Sequence, residues 1–292
     1  PEGLREVLAL ASPQRAVLEA DAAPAATAPP APRPRRLIAL PRTNEAVVTV
    51  AFFGEVLLAL ARWVSGRAAV RAAEVLHQLD QTGPRSLPIV ALTCALIGLM
   101  LAYMGGAQLE RIGGQRYLAD IVAIGMVREL AGLMTGVILA GRIGSAFAAQ
   151  LATMKAGEEI DALKQMGIRP TGFLVVPKVL ACAMSAVMLT VIFDVVGICG
   201  GALFAWGVAD IEWLAFTAQL KQALQLSDFA FATAKSLTFG AIVGVVGCSL
   251  GLRVQGGSEG VGRATTNAVV LGIFMIIVID AVFVTVQRLL LS

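Results

Sequence analysis

An all-helical, polytopic membrane protein is the fold class that this chain predicts, and three observations predict it. Hydrophobic residues make up 57% of the 292 residues and charged residues only 15%, against about 45–50% and about 25% in soluble domains. Mean hydropathy is +0.79. Several runs of about 20 apolar residues recur along the chain, the length a helix needs to cross a hydrocarbon core about 30 Å thick.

The elements follow in order. Residues 1–45 read as a tail and linker. Leu4, Val7, Leu8, Val17 and Leu18 have the spacing of a short amphipathic helix, and Ala20 to Pro41 is an Ala/Pro-rich stretch with Arg33, Arg35 and Arg36 that buries no core. Pro1 stands where an initiator Met would, so an upstream portion of a longer chain is expected. A membrane domain is expected over 46–292. It opens with an apolar run at 46–64, broken by Glu55 and closed by Arg62 and Trp63, and continues through Arg67, Arg71 and Glu74 to about Leu79. Trp beside Arg marks headgroup depth, so this stretch is expected to lie on the cytoplasmic interface. Five stronger segments follow at about 87–107, 121–153, 174–207, 229–252 and 264–290. The second and third are too long for an upright span and must tilt, bend or project.

Basic residues set the expected orientation. Arg62, Arg67, Arg71 and Arg85 precede the first span; Lys155, Lys164, Arg169 and Lys178 lie between the second and third; Arg253 and Arg263 lie between the fourth and fifth. The opposite loops hold Arg111 and Arg116, then Lys221 beside Asp210, Glu212 and Asp228. The positive-inside rule therefore places the N-terminus and the 154–178 loop in the cytoplasm.

Composition also excludes chemistry. His77 is the only histidine, and Cys94, Cys182, Cys199 and Cys248 all lie inside apolar runs without metal or redox spacing. No metal site and no catalytic residue is expected. There is no GxxxxGK[ST], so the chain carries no phosphate loop of its own. A net charge of +3 spread over juxtamembrane arginines is no nucleic-acid patch.

Small residues four apart let helix backbones approach closely. Gly132/Gly136, Gly197/Gly201, Gly240/Gly244 and Gly247/Gly251 have this spacing, with Ala140/Gly144 as a variant, and Gly132, Gly136, Gly141 and Gly144 are the packing candidates in the second span. Ionisable residues inside spans mark function by default. They are Arg128, Glu129, Arg142, Asp194, Lys235 and Asp280. Arg128 and Glu129 point about 100° apart on a helix and so are not expected to face one partner. Asp194 with Lys235 is the candidate structural ion pair. A proton-coupled transporter using Glu129, Asp194 or Asp280 is the alternative function.

Between the second and third spans lies a short amphipathic helix, expected over 157–167. Glu158 and Glu159 occupy its first turn, where the helix dipole favours them. Asp161 and Lys164 are three apart. Ile160, Leu163 and Met166 form an apolar stripe, and Gly167 suits the C′ position with Pro170 beyond it.

The block Arg128-Glu129-Leu130, Ala140 to Ala146 (AGRIGSA) and Glu158 to Gly167 (EEIDALKQMG) resembles the MlaE/YrbE family, the permeases of bacterial ABC systems that move phospholipid between inner and outer membranes. Val175 to Ala181 and Gly262 to Thr266 extend the likeness, which covers about 46–290. Two departures stand out. Ala131-Gly132 replaces the family's Gly-Pro, leaving Gly132 to permit any bend, and Glu159 stands where Gln is usual. The resemblance implies a homodimer in the inner membrane with an interfacial helix and five spans per subunit. It makes 157–167 (Glu158, Glu159, Ile160, Asp161, Leu163, Lys164, Met166, Gly167) the helix that couples to a separate cytoplasmic ABC ATPase, which would hold the ATP and Mg. It implies a phospholipid cavity, with Arg128 and Glu129 as candidate lining, and a periplasmic MCE-domain partner. Residues 1–20 would suit the tail of an upstream STAS-like domain.

Overall fold

The computed structural model describes residues 52–56, 58–59, 72–255 and 257–291. The expected tail and linker at 1–45, and the part of the interfacial stretch around Arg62 to Arg71, lie outside the described residues. Every regular element among the described residues is helical. Residues 52–56 and 58–59 are helical, and Val56 is buried while Phe52 and Phe53 pack on the same core.

The main helices are α1 (Ala72–Thr82), α2 (Leu87–Arg111), α3 (Leu118–Ala156), α4 (Glu159–Gln165), α5 (Thr171–Gly207), α6 (Trp213–Ala223), α7 (Leu226–Leu252) and α8 (Ser258–Leu291). Five stretches are long and apolar enough to cross a membrane: the α1–α2 pair, α3, α5, α7 and α8. Pro88 sits in the first turn of α2, where the missing N–H costs nothing, and Pro177 follows directly on the wider turn that opens α5. α6 was not expected. Its signal was the Phe216/Leu220 spacing, and Phe216 is buried against the first turns of α3.

α3 spans 39 residues, about 58 Å at 1.5 Å per residue, nearly twice the hydrocarbon thickness. It is not a uniform helix. Wider π-type turns interrupt it at Gly125–Leu130 and at Ala140–Gly144, and a third opens α5 at Thr171–Val175. The first ends immediately before Ala131-Gly132, where Pro is absent, so a local change of helical phase occurs there without a proline.

Glycines set the closest approaches. α2 and α5 pack backbone on backbone: a Cβ at Gly98 would overlap the Gly197 carbonyl. α7 uses two faces. A Cβ at Gly240 would lie 2.7 Å from the Cys182 carbonyl oxygen on α5, and one at Gly247 would lie 2.6 Å from that of Gly144 on α3. Gly136 and Gly144 each meet side chains of neighbouring helices at 3.3 Å. Gly141 differs from the packing expectation, because a Cβ there would meet nothing within 4 Å. It lies in a π turn on the exposed side of α3, so its missing side chain brings no helix closer.

Candidate functional site

Two polar constellations occupy opposite ends of α3. At one end α3 stops at Ala156, and Gly157 and Glu158 turn the chain into α4. Glu158 takes a left-handed backbone conformation (φ 60°), strained for a residue with a side chain. Its carbonyl accepts from the N–H groups of Asp161 and Ala162. At the far end Gly167 (φ 77°) closes α4 in a Schellman arrangement: its N–H donates to Lys164 O and that of Ile168 to Leu163 O.

The helix is thus seven residues long, about 10 Å, shorter than the 157–167 expected, because both flanking corners take positive φ. The expected stripe is also divided. Ile160 is buried against its own chain and fixes α4, Leu163 is half-buried, and Met166, beyond the last helical turn, is 66% exposed. Glu158, Glu159 and Lys164 are exposed. Asp161 is held by Lys155 of α3 at 2.6 Å and by Lys164 at 3.1 Å. Those two ammonium groups hold its carboxyl below the usual carboxylate range. α4 therefore presents a charged, rigid surface with Met166 and Ile168 at its edge.

Beside this corner, Thr171 Oγ1 donates to Glu55 Oε1 at 2.9 Å, tying the start of α5 to the N-terminal helical stretch. Lys178, expected in the loop, is instead buried in α5. Its Nζ donates to Gln150 of α3 at 2.6 Å and to Gln78 of α1 at 3.4 Å, 4.9 Å above the Phe147 ring. Arg142 donates to the Arg85 carbonyl oxygen in the turn before α2.

The second constellation joins α3, α7 and α8. Asp228 caps the start of α7 by accepting the Gln225 N–H at 3.0 Å, and its other oxygen lies 2.8 Å from Arg128 Nε. Two turns further along α7, Lys235 is buried (1% exposed side chain) with its Nζ 2.6 Å from Asp280 and 3.3 Å from Glu129. The same ammonium donates to the Arg128 carbonyl, inside the first π turn. Arg128 and Glu129 thus both meet α7, at levels seven residues apart, and their side chains pair with different residues, Asp228 and Lys235.

The expected Asp194–Lys235 pair does not form. Asp194 is buried on α5, and its Oδ1 has no hydrogen-bond partner among the described residues. Lys235 turns instead toward α3 and α8. Sequence reading named Arg128, Glu129, Lys235 and Asp280 but missed Asp228, whose position three residues into α7 reads as a helix cap.

The profile of the permease MlaE family matches residues 75–286, from α1 through most of α8 and across both constellations. The chain belongs to the MlaE permease family. It is 34% identical over 79% of its length to a probable ABC transporter permease protein of Synechocystis sp., covering 87% of that protein. It is 35% identical over 70% of its length to a probable ABC transporter permease protein of Rickettsia typhi, covering 79% of it. It is also 36% identical over 71% of its length to the chloroplast protein TRIGALACTOSYLDIACYLGLYCEROL 1 of Arabidopsis thaliana, of which it spans 59%. This MlaE-family chain is therefore a multi-pass ABC transporter permease, a transport subunit rather than an enzyme, and such a permease works with an ATPase partner.

Proposed function

We propose that this MlaE-family permease moves phospholipid between the inner membrane and a periplasmic MCE-domain partner on the way to or from the outer membrane. A separate cytoplasmic ATPase, holding the ATP and Mg, drives it. One observation carries the reading: α3 bears the Arg128/Glu129 ion-pair cluster toward one end and is followed by the α4 surface at the other.

The mechanism follows from that arrangement. α4 seats in the ATPase, with Glu158, Glu159 and Lys164 setting register and Met166 giving apolar contact. Movement of α4 passes to α3 through Lys155–Asp161 and to α5 through the short 166–170 connection, where the Ile168 N–H donates to the Leu163 carbonyl. The π turns are the places where α3 changes helical phase, and such turns recur at functional sites. Arg128, with a quarter of its side chain exposed, offers its guanidinium to a lipid phosphate in competition with Asp228. The Arabidopsis relative is named after a glycerolipid, which supports a lipid cargo. The membrane in this reading is the inner one, and the basic loops support a cytoplasmic side for the N-terminus and α4. α8 leaves most of its apolar surface uncovered, which suits assembly as a homodimer around a shared cavity.

The test is charge reversal on α4. Glu158→Lys with Asp161→Lys should leave membrane insertion intact and cut ATP-driven transfer of labelled phospholipid by about tenfold or more, the effect of losing about 1.4 kcal/mol of docking. Transfer at the unaltered rate would refute the coupling role.

A further inference from the structure

At the end of the molecule opposite α4 lies a cavity of about 380 Å³ between the last turns of α2, the first turn of α3 and the end of α5. That is the size of a small-ligand site. Tyr103 and Phe204 form one wall, with their rings edge to face at 5.8 Å. The charged residues that line it, Glu110 and Asp210, are both acidic. Neither is in an ion pair among the described residues. Asp210 also borders an adjoining depression of about 230 Å³ walled by Trp206, Glu212 and Trp213.

We propose that this cavity binds the ammonium headgroup of a zwitterionic phospholipid such as phosphatidylethanolamine. The chemistry is that of a cation: aromatic faces attract an ammonium through their quadrupole, and the two carboxylates add charge attraction. Depth and continuity point to a lipid rather than to a soluble amine or a partner's lysine. Trp206 and Trp213 are exposed beside the cavity, and exposed tryptophans mark headgroup level. From Tyr103 a stripe of exposed apolar side chains runs down α2 through Met100, Leu99, Leu96 and Leu92. Their spacing keeps them on one helix face, a track for acyl chains beneath a headgroup held in the cavity. The site is distinct from the Lys235 cluster, which joins α3, α7 and α8.

The experiment uses the full chain carrying Trp63→Phe, so that fluorescence reports Trp206 and Trp213. Quenching by phosphatidylethanolamine with brominated chains, in a phosphatidylglycerol background, is compared with the reverse mixture at low and high salt. The expected result is about tenfold preference for phosphatidylethanolamine at low salt, weakened at high salt because exposed charges are screened, and reduced to about one by Glu110→Gln with Asp210→Asn. Both carboxylates are exposed, and Asn tolerates the left-handed backbone of Asp210 (φ 51°), so the double variant keeps the fold. Equal quenching by the two lipids would overturn the proposal, as would a preference that survives in the double variant. Quenching is read at equilibrium without ATPase, so the outcome is independent of whether the chain transports lipid.

Discussion

Lys235 offers the sharpest test of how the spans are held together. Its ammonium is buried 2.6 Å from Asp280 and 3.3 Å from Glu129. At an effective dielectric of about 20 these separations give gross attractions of about 6 and about 5 kcal/mol, most of which desolvation cancels. Removing only the cation leaves Asp280, with 16% of its side chain exposed, facing the apolar interior without its partner. Breaking a buried pair from one side destabilises by about 3–5 kcal/mol. Lys235→Met isolates that effect, because a Cβ at Gly132 would lie 3.7 Å from Lys235 Cγ and 3.8 Å from Cδ, so the aliphatic stem packs there and Met keeps it. Reversible unfolding in mixed detergent–SDS micelles should show a loss of about 3–5 kcal/mol. Adding Asp280→Asn should restore most of it, giving a coupling of about 2–3 kcal/mol in the double-mutant cycle. A single variant within about 0.5 kcal/mol of the parent, or strictly additive effects, would refute the pairing.

Two further predictions rest on other parts of the fold. Gly247→Val should destabilise by at least about 1–3 kcal/mol, because even a Cβ would lie 2.6 Å from the Gly144 carbonyl oxygen; Gly141→Ala, at an open position, should be neutral or stabilising by up to about 1 kcal/mol, and thermal unfolding of both variants checks the contrast. Asp161 is bound by Lys155 and Lys164, which lower its folded pKa, so its contribution to the α3–α4 corner is present above the ordinary carboxylate value of about 3.9 and is lost as pH falls through the lowered one. Amide exchange in α4, corrected for its intrinsic pH dependence, should keep constant protection from pH 7 to about 5 and lose it only below about 3.9; loss of protection near neutrality would contradict the assignment.

The long apolar runs gave away the five spans, because a bilayer leaves a helical segment few alternatives. Gly167 was readable for a similar reason: the C′ position after a helix needs positive φ, and glycine supplies it. Pairing inside the membrane was not readable in the same way. Which residue faces which depends on helical phase, and each π turn shifts that phase by about 100° for one extra residue. The turn at Gly125–Leu130 carries no proline and left no mark in hydropathy, so the meeting of Glu129 with Lys235 was not legible; hydropathy likewise carries no record of which helices are neighbours, and Lys235 meets Asp280 rather than Asp194. Gly141 illustrates the same limit, since small-residue spacing shows where an approach is possible and the phase decides whether one occurs. Along α4 the apolar periodicity ran on to Met166, while the backbone left the helix one residue earlier.

The most direct test of the account is capture of the ATPase by the full chain in mild detergent, with and without Leu163→Asp and Met166→Asp. The account predicts stoichiometric recovery of a soluble ATPase with the unaltered chain and its loss with the variant, while Ile160 still anchors α4 and the permease remains folded. Recovery of the unaltered chain alone, or undiminished capture by the variant, would contradict it.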